Sequence, residues 1–157
     1  MRRSLSATLA VAAVLTAACA AGGIRPSYEP FPDARVDTIN AAPPDVIQEA
    51  IARVNAENMR GAWESPEEGF FETQWFNVAT QQSGVSDRNN PDRVILLRFW
   101  ADPIEGGRTK LVTEAIYQRT PDPSVQPRDR EMSVPNGHAG DRLRARVIDG
   151  IKERFGR

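Results

Sequence analysis

One histidine and one cysteine are present in the 157 residues, and this limits the chemistry available to the chain. A histidine-based acyl-transfer site would have to use His138, and no G-x-S-x-G nucleophile motif accompanies it. A catalytic histidine needs rigid placement and an orienting partner, whereas a Pro-Asn-Gly-His-Ala-Gly stretch predicts a solvated loop residue. Transition-metal sites need several Cys or His ligands, and no carboxylate-rich calcium loop occurs, so we predict no metal.

Paired carboxylates offer another route to catalysis, because two of them can hydrolyse a glycosidic bond. Glu67 and Glu68 are adjacent, and Asp102, Glu105 and Glu114 are the other candidates. Adjacent glutamates in a Ser-Pro-Glu-Glu-Gly turn are normally a solvated pair, so a glycan-acting enzyme is only our third hypothesis. Neither G-x-G-x-x-G nor a P-loop is present, so no nucleotide cofactor is expected. We therefore predict that the protein is not an enzyme and uses no cofactor.

The single cysteine, Cys19, lies where an apolar run ends. Two arginines precede this run, which covers residues 5–18 and contains nothing more polar than serine and threonine. A spanning helix needs about 20 apolar residues. The shorter run therefore predicts a signal peptide over residues 1–18.

The segment Leu15-Thr-Ala-Ala-Cys19 resembles a bacterial lipobox, although Thr16 stands where the family prefers leucine. The resemblance implies diacylation of Cys19, the palmitate-type anchor of an envelope lipoprotein. Ala20 rather than Asp follows the cysteine, which in similar lipoproteins favours passage to the outer membrane, facing the periplasm. The alternative is ordinary signal-peptidase cleavage in Ala18-Cys19-Ala20, which would leave a soluble periplasmic protein.

The net charge of the chain argues against nucleic acid as a partner. Without Arg2 and Arg3 the chain has 18 basic and 21 acidic residues, a net charge of −3. Non-specific nucleic-acid binding depends on neutralising phosphates, so a mildly acidic protein is not expected to bind nucleic acid.

The secondary-structure pattern predicts one α+β domain over residues 45–157, preceded by a flexible, proline-rich tether over residues 19–44 that carries the lipidated cysteine. Helical spacing of apolar residues predicts a first and a last helix, and β-branched and aromatic runs predict strands between them. The helices are expected over 45–58 and 140–155, and the strands over 61–64, 70–80, 93–101 and 109–119. The order α-β-β-β-β-α favours an antiparallel sheet of three to four strands with both helices packed on one face.

Large aromatic residues in the predicted strands are candidates for a partner surface. Trp63, Trp75, Trp100 and Tyr117 are the candidates, although tryptophans in strands are more often core residues. One sheet face is covered by the helices, so we expect some aromatic surface on the other face to be uncovered.

Residues 61–76, Gly-Ala-Trp-Glu-Ser-Pro-Glu-Glu-Gly-Phe-Phe-Glu-Thr-Gln-Trp-Phe, follow a helix and contain a Trp-bearing strand, an acidic turn and a T-x-W strand. This order is similar to one module of the BamC family, accessory lipoproteins of the outer-membrane β-barrel assembly machine, which carry two modules. The resemblance implies a helix-grip-like fold and a non-catalytic protein-binding or assembly role at the membrane. A periplasmic carrier of a small ligand or lipid is the alternative.

Overall fold

The computed structural model describes residues 25–88, 90–119 and 124–156, so the predicted signal peptide and Cys19 lie outside the described residues. The described chain is α+β, with an open antiparallel sheet and two helices, as predicted. The elements are β1 (Arg35–Ile39), α1 (Pro43–Ala56), β2 (Gly61–Ser65), β3 (Phe70–Thr73), β4 (Phe76–Asn77), β5 (Gln82–Ser83), β6 (Val94–Ile104), β7 (Arg108–Gln118), β8 (Glu131–Ser133) and α2 (Ala139–Phe155).

The long hairpin of β6 and β7 is the centre of the sheet. Its strands pair from Leu96 opposite Ile116 to Ile104 opposite Arg108, as the turn-rich sequence between them predicts. Strand order across the sheet is β1-β7-β6-β3-β2, with β8 pairing with β7 and β4 pairing with both β5 and β6. We call the end with the 105–107 turn the hairpin end, and the end where β6 begins the open end.

Both helices pack on the same face of the sheet. Helix α1 starts at Pro43, where a missing N–H costs nothing, and buries Val46, Ile47, Ala50 and Val54. Helix α2 buries Leu143, Val147 and Ile151 in the same cluster as Phe71, Leu97, Phe99, Leu111 and Ala115 of the sheet. The apolar stripes of the two helices therefore meet one apolar sheet face, which forms the main core.

Several elements differ from the sequence-based prediction. The described residues contain eight strands rather than three or four, and a strand precedes the first helix. The expected strand 70–80 is divided into β3 and β4, since the chain leaves the β2–β3 ladder at Gln74 and pairs again with β6 from Phe76. The sequence pattern does not predict β4, β5 and β8 as separate strands, because two or three residues are too few to show a period of two.

The largest correction concerns the predicted flexible tether. Within it, Arg35–Ile39 forms strand β1, which pairs with β7 from Thr113 to Thr109. Residues 25–34, here called the strap, lie against the sheet face opposite the helices, where Tyr28, Phe31 and Ala34 pack on buried side chains. Prolines do exclude a helix here, but an extended chain can still be held when its aromatic side chains are buried.

Gly69 provides a stability test of the connection between β2 and β3. Its φ is +64°, and a Cβ there would lie 2.2 Å from the carbonyl oxygen of Ala101. Gly107 is a matched control, because its φ is +69° but a Cβ would meet nothing within 4 Å. We expect Gly107→Ala to cost about 1–2 kcal/mol from backbone strain alone. Gly69→Ala should lower the free energy of unfolding further, which urea denaturation followed by circular dichroism measures.

Equal losses for the two glycine variants would contradict the close approach of Gly69 to the β6 backbone.

Candidate functional site

The predicted aromatic surface is largely buried. Trp75 is 8% exposed and Trp100 only 1%, so the expectation of an uncovered aromatic face is wrong for these two. Trp63 and Tyr117 are partly buried, and whether they contact a partner stays a prediction. Trp75 and Trp100 are buried because the strap covers the aromatic side chains that the helices leave uncovered.

The strap is attached to the sheet by aromatic and polar contacts. Tyr28 packs edge-on against Trp100, with ring centroids 6.4 Å apart, and the Phe70 ring centroid lies 5.5 Å from that of Trp100. At its start, Arg25 forms a salt bridge of 2.6 Å with Asp102 at the hairpin end. The strap is thus anchored at the hairpin end.

Beneath the strap lies a charge cluster, formed by Glu72, Arg98, Glu114, Arg128 and Glu131. Strand register places Glu72 of β3, Arg98 of β6 and Glu114 of β7 side by side. The Arg98 side chain is 5% exposed and that of Glu114 is 0% exposed. A buried ion is tolerated only when it is paired and hydrogen-bonded, so this row of charges must be held together.

Arg98 is the centre of the cluster. It donates to Glu72, and its two terminal nitrogens donate to Glu131 at 2.7 and 2.9 Å in a bidentate pair. Burial opposes its charge, but the hydrogen bonds from Arg98 to Glu131 and the nearby carboxylates raise the pKa of Arg98 above its ordinary value. Arg98 therefore stays charged and neutralises the surrounding glutamates.

The strap covers the cluster with aromatic rings. The Arg128 guanidinium lies 4.4 Å from the Tyr28 ring and 4.3 Å from the Phe31 ring, both cation–π distances. The Tyr28 hydroxyl donates to Glu72 at 3.2 Å, and burial raises the pKa of Tyr28 to about 12. The backbone N–H of Phe31 donates to Glu114. The cluster thus ties the strap to the sheet.

Glu114 is the least satisfied member of the cluster. Its Oε2 is buried without a hydrogen bond, with Arg98 at 3.8 Å and Arg128 at 3.9 Å. Burial raises the pKa of Glu114, and the Phe31 N–H and the two arginines only partly oppose this. Sequence reasoning considered Glu114 only as a catalytic candidate. A charge inside the apolar run of each strand, Arg98 in β6 and Glu114 in β7, was the signal for a buried pair.

The histidine and the adjacent glutamates occupy a helix-capping position and an exposed turn. His138 is the N-cap of α2 rather than a solvated loop residue, because its Nδ1 accepts a hydrogen bond of 3.0 Å from the Gly140 N–H. Glu67 and Glu68 are exposed on a short 3₁₀ helix. In the described part of the chain, no group of three or more His, Cys, Asp or Glu side chains is placed to hold a metal ion.

The outer edge of β1 is the clearest candidate contact surface. β1 ends the strand order and, among the described residues, pairs only with β7. Val36 of β1 is 56% exposed and is the one large hydrophobic side chain exposed in the described residues. The opposite edge strand, β2, has a register irregularity between Gly61 and Trp63, a feature that discourages strand addition. The β1 edge is therefore the candidate site for the addition of another strand.

A scan against models of protein families and a comparison with curated proteins found no match for this chain. Across residues 25–88, 90–119 and 124–156, no helix is long and apolar enough to cross a membrane.

Replacing Arg98 tests the charge cluster. Arg98→Met should lower the free energy of unfolding by about 3–5 kcal/mol, because buried glutamates would lose their counter-charge. The matched control is Arg146→Met, since Arg146 is 57% exposed in its pair with Glu57 and should contribute less than about 1 kcal/mol. Chemical denaturation at neutral pH measures both values. A loss in Arg98→Met as small as in the control would show that the cluster is not needed for stability.

The effect of Glu114 on the free energy of unfolding is predicted to depend on pH. Because its pKa is raised in the folded state, ionisation of Glu114 weakens the fold, and this penalty is complete only above the raised pKa. Glu114→Gln removes the penalty, so the stability of the variant relative to wild type should increase as pH rises from about 4 to 7. Denaturation midpoints across that range measure the trend.

Glu57→Gln is the control, because its stability relative to wild type should change with pH in the opposite direction. Hydrogen bonding to Arg146 lowers the pKa of Glu57, so its stabilising effect is present above the ordinary pKa and is lost on acidification. Relative to wild type this variant should therefore become less stable as pH rises. Parallel trends for the two variants would contradict the opposite environments of the two carboxyls.

Proposed function

We propose that the protein is a non-catalytic cell-envelope lipoprotein that binds another protein as an assembly accessory at the outer membrane. The free edge of β1, with the exposed Val36, carries the binding part of the proposal. In strand addition, backbone hydrogen bonds supply affinity and side chains beside the edge supply specificity. The lipobox-like segment that ends at Cys19 supports the anchor.

The strap supports a domain position close to the membrane. The described chain is held against the sheet from Arg25 onwards. Only five residues stand between Cys19 and Arg25, so their backbones are separated by at most about 20 Å. A lipid on Cys19 would therefore keep the domain near the bilayer surface, where its partner should be sought.

We also propose that the domain is a helix-grip-like module similar to one module of the BamC family. Two helices on one face of an antiparallel sheet support this interpretation. The carrier alternative has less support, because the side chains of the main core occupy the space between the sheet and the helices. A protein-binding surface needs no such space.

Partner capture tests the edge contact. Full-length protein extracted from its own membranes should co-purify a defined protein partner. Val36→Lys should lose it, because a charge at a free edge blocks strand addition. Ala52→Lys is the matched control, since Ala52 is exposed on α1 and gains the same charge. Quantitative mass spectrometry of the captured proteins compares the variants.

Retention of the partner by Val36→Lys would exclude the β1 edge as the contact. If wild-type protein captures no more of any protein than a Cys19→Ser variant does, the accessory role is excluded. The intact mass of the extracted protein tests the anchor separately. A chain that begins at Cys19 with added acyl mass is expected. A chain without lipid would favour the soluble periplasmic protein.

A further inference from the structure

A second surface lies at the open end of the sheet, beside the C-terminal end of α1. It is an open cleft of about 900 Å³, lined by Asn55, Asn58, Met59, Arg60 and residues 81–87. A smaller cleft of about 150 Å³ lies between α2 and the β4–β5 turn, lined by residues that include Arg142 and Arg146. Gln81 lines both, so we treat them as one surface, the open-end cleft.

The polar groups of the open-end cleft are suited to hydrogen bonding with an extended backbone and its carboxylates. Amide side chains of Asn55, Asn58, Gln81 and Gln82 offer both donors and acceptors. Arg60 is exposed and forms no salt bridge with another described residue. Guanidinium groups bind carboxylates through parallel hydrogen bonds, so an anionic ligand is favoured here.

Arg142 supplies a second cation beyond Gln81. It is exposed, and its one described side-chain hydrogen bond goes to the carbonyl oxygen of Gly137 rather than to a carboxylate. The neighbouring Arg146 is already paired with Glu57 at 2.7 Å. Asp87 is a carboxylate in the lining of the larger cleft and already has an interaction partner. Arg60 and Arg142 are therefore the arginines of the cleft whose charge is available to a partner.

The backbone at the cleft is an independent sign of a site. Asn58 and Gln81 are the non-glycine residues with positive φ in the described chain, at 62° and 55°. Their side chains meet at 3.5 Å, so both unusual conformations are at the same place. Asn58 follows the end of α1, where asparagine tolerates this conformation, but glutamine does so at a cost. Costly backbone conformations concentrate at binding sites.

The position of the cleft separates it from the anchored end of the domain. Arg25 is tied to Asp102 at the hairpin end, so the chain toward Cys19 leaves there. Strand β6 begins at the open end and reaches the hairpin end over 11 residues, about 35 Å. The cleft therefore lies away from the anchoring bilayer, and a protein segment suits it better than an anionic lipid surface.

We propose that the open-end cleft binds an extended, carboxylate-rich segment of a protein partner through Arg60 and Arg142. This rests on the proposed protein-binding function but not on the edge of β1, which lies at the other side of the sheet. The partner would thus be held at two places.

A labelled synthetic peptide of ten alternating glutamate and serine residues is the probe, with an alternating lysine–serine peptide as its control. Fluorescence anisotropy with the full chain should show binding of the acidic peptide only. Arg60→Gln with Arg142→Gln should weaken it about tenfold, because two exposed ion pairs are lost. Arg108→Gln with Lys110→Gln removes the same charge at the hairpin end and should leave the affinity unchanged.

Equal weakening by both double variants would overturn the site, because it would indicate attraction by overall charge alone. Absence of acidic-peptide binding would also overturn it, as would tighter binding to phosphatidylglycerol vesicles that depends on Arg60 and Arg142. Val36→Lys should bind the peptide as wild type does. If the acidic peptide does not bind but the protein still captures a partner, the cleft is rejected and the proposed contact at the β1 edge is retained.

Discussion

Strand β6 is buried on both faces, and the rest of the structure depends on covering both. Every residue from Val94 to Ala101 is buried. Alternate side chains of a strand point to opposite faces, so one layer of helices can cover only half of them. The helices cover Ile95, Leu97 and Phe99, and the strap and the neighbouring loops cover the side chains between them.

Arg98 helps to fix the position of the strap on the second face of the sheet. An apolar strap could slide along an apolar face, but buried charges must meet particular partners. Glu72, Glu114 and Glu131 come from three other strands, and Arg128 connects the cluster to the strap rings. The aromatic contacts of Tyr28 and Phe31 therefore supply apolar area, and the charges fix where the strap lies.

Covering the second face changes where a partner can bind. An exposed aromatic face would have been the natural contact, but Trp75 and Trp100 serve the core instead. The two proposed binding surfaces are at the periphery: the free backbone edge of β1 and the polar open-end cleft. The strap also shortens the connection to Cys19, so an anchored domain would have less freedom than a long tether allows.

The sequence by itself determined both helices, the central β6–β7 hairpin and the α+β class, because long amphipathic or apolar runs carry a clear period. Tertiary structure alone decided the course of residues 25–39, whose prolines suggest a tether until the aromatic face that buries Tyr28 and Phe31 is known. It also decided the partners of Arg98 and Glu114, since strand register and the distant β8 bring them together. The open-end cleft joins residues 55–60, 81–87 and 142–146, and no local pattern encodes such a meeting.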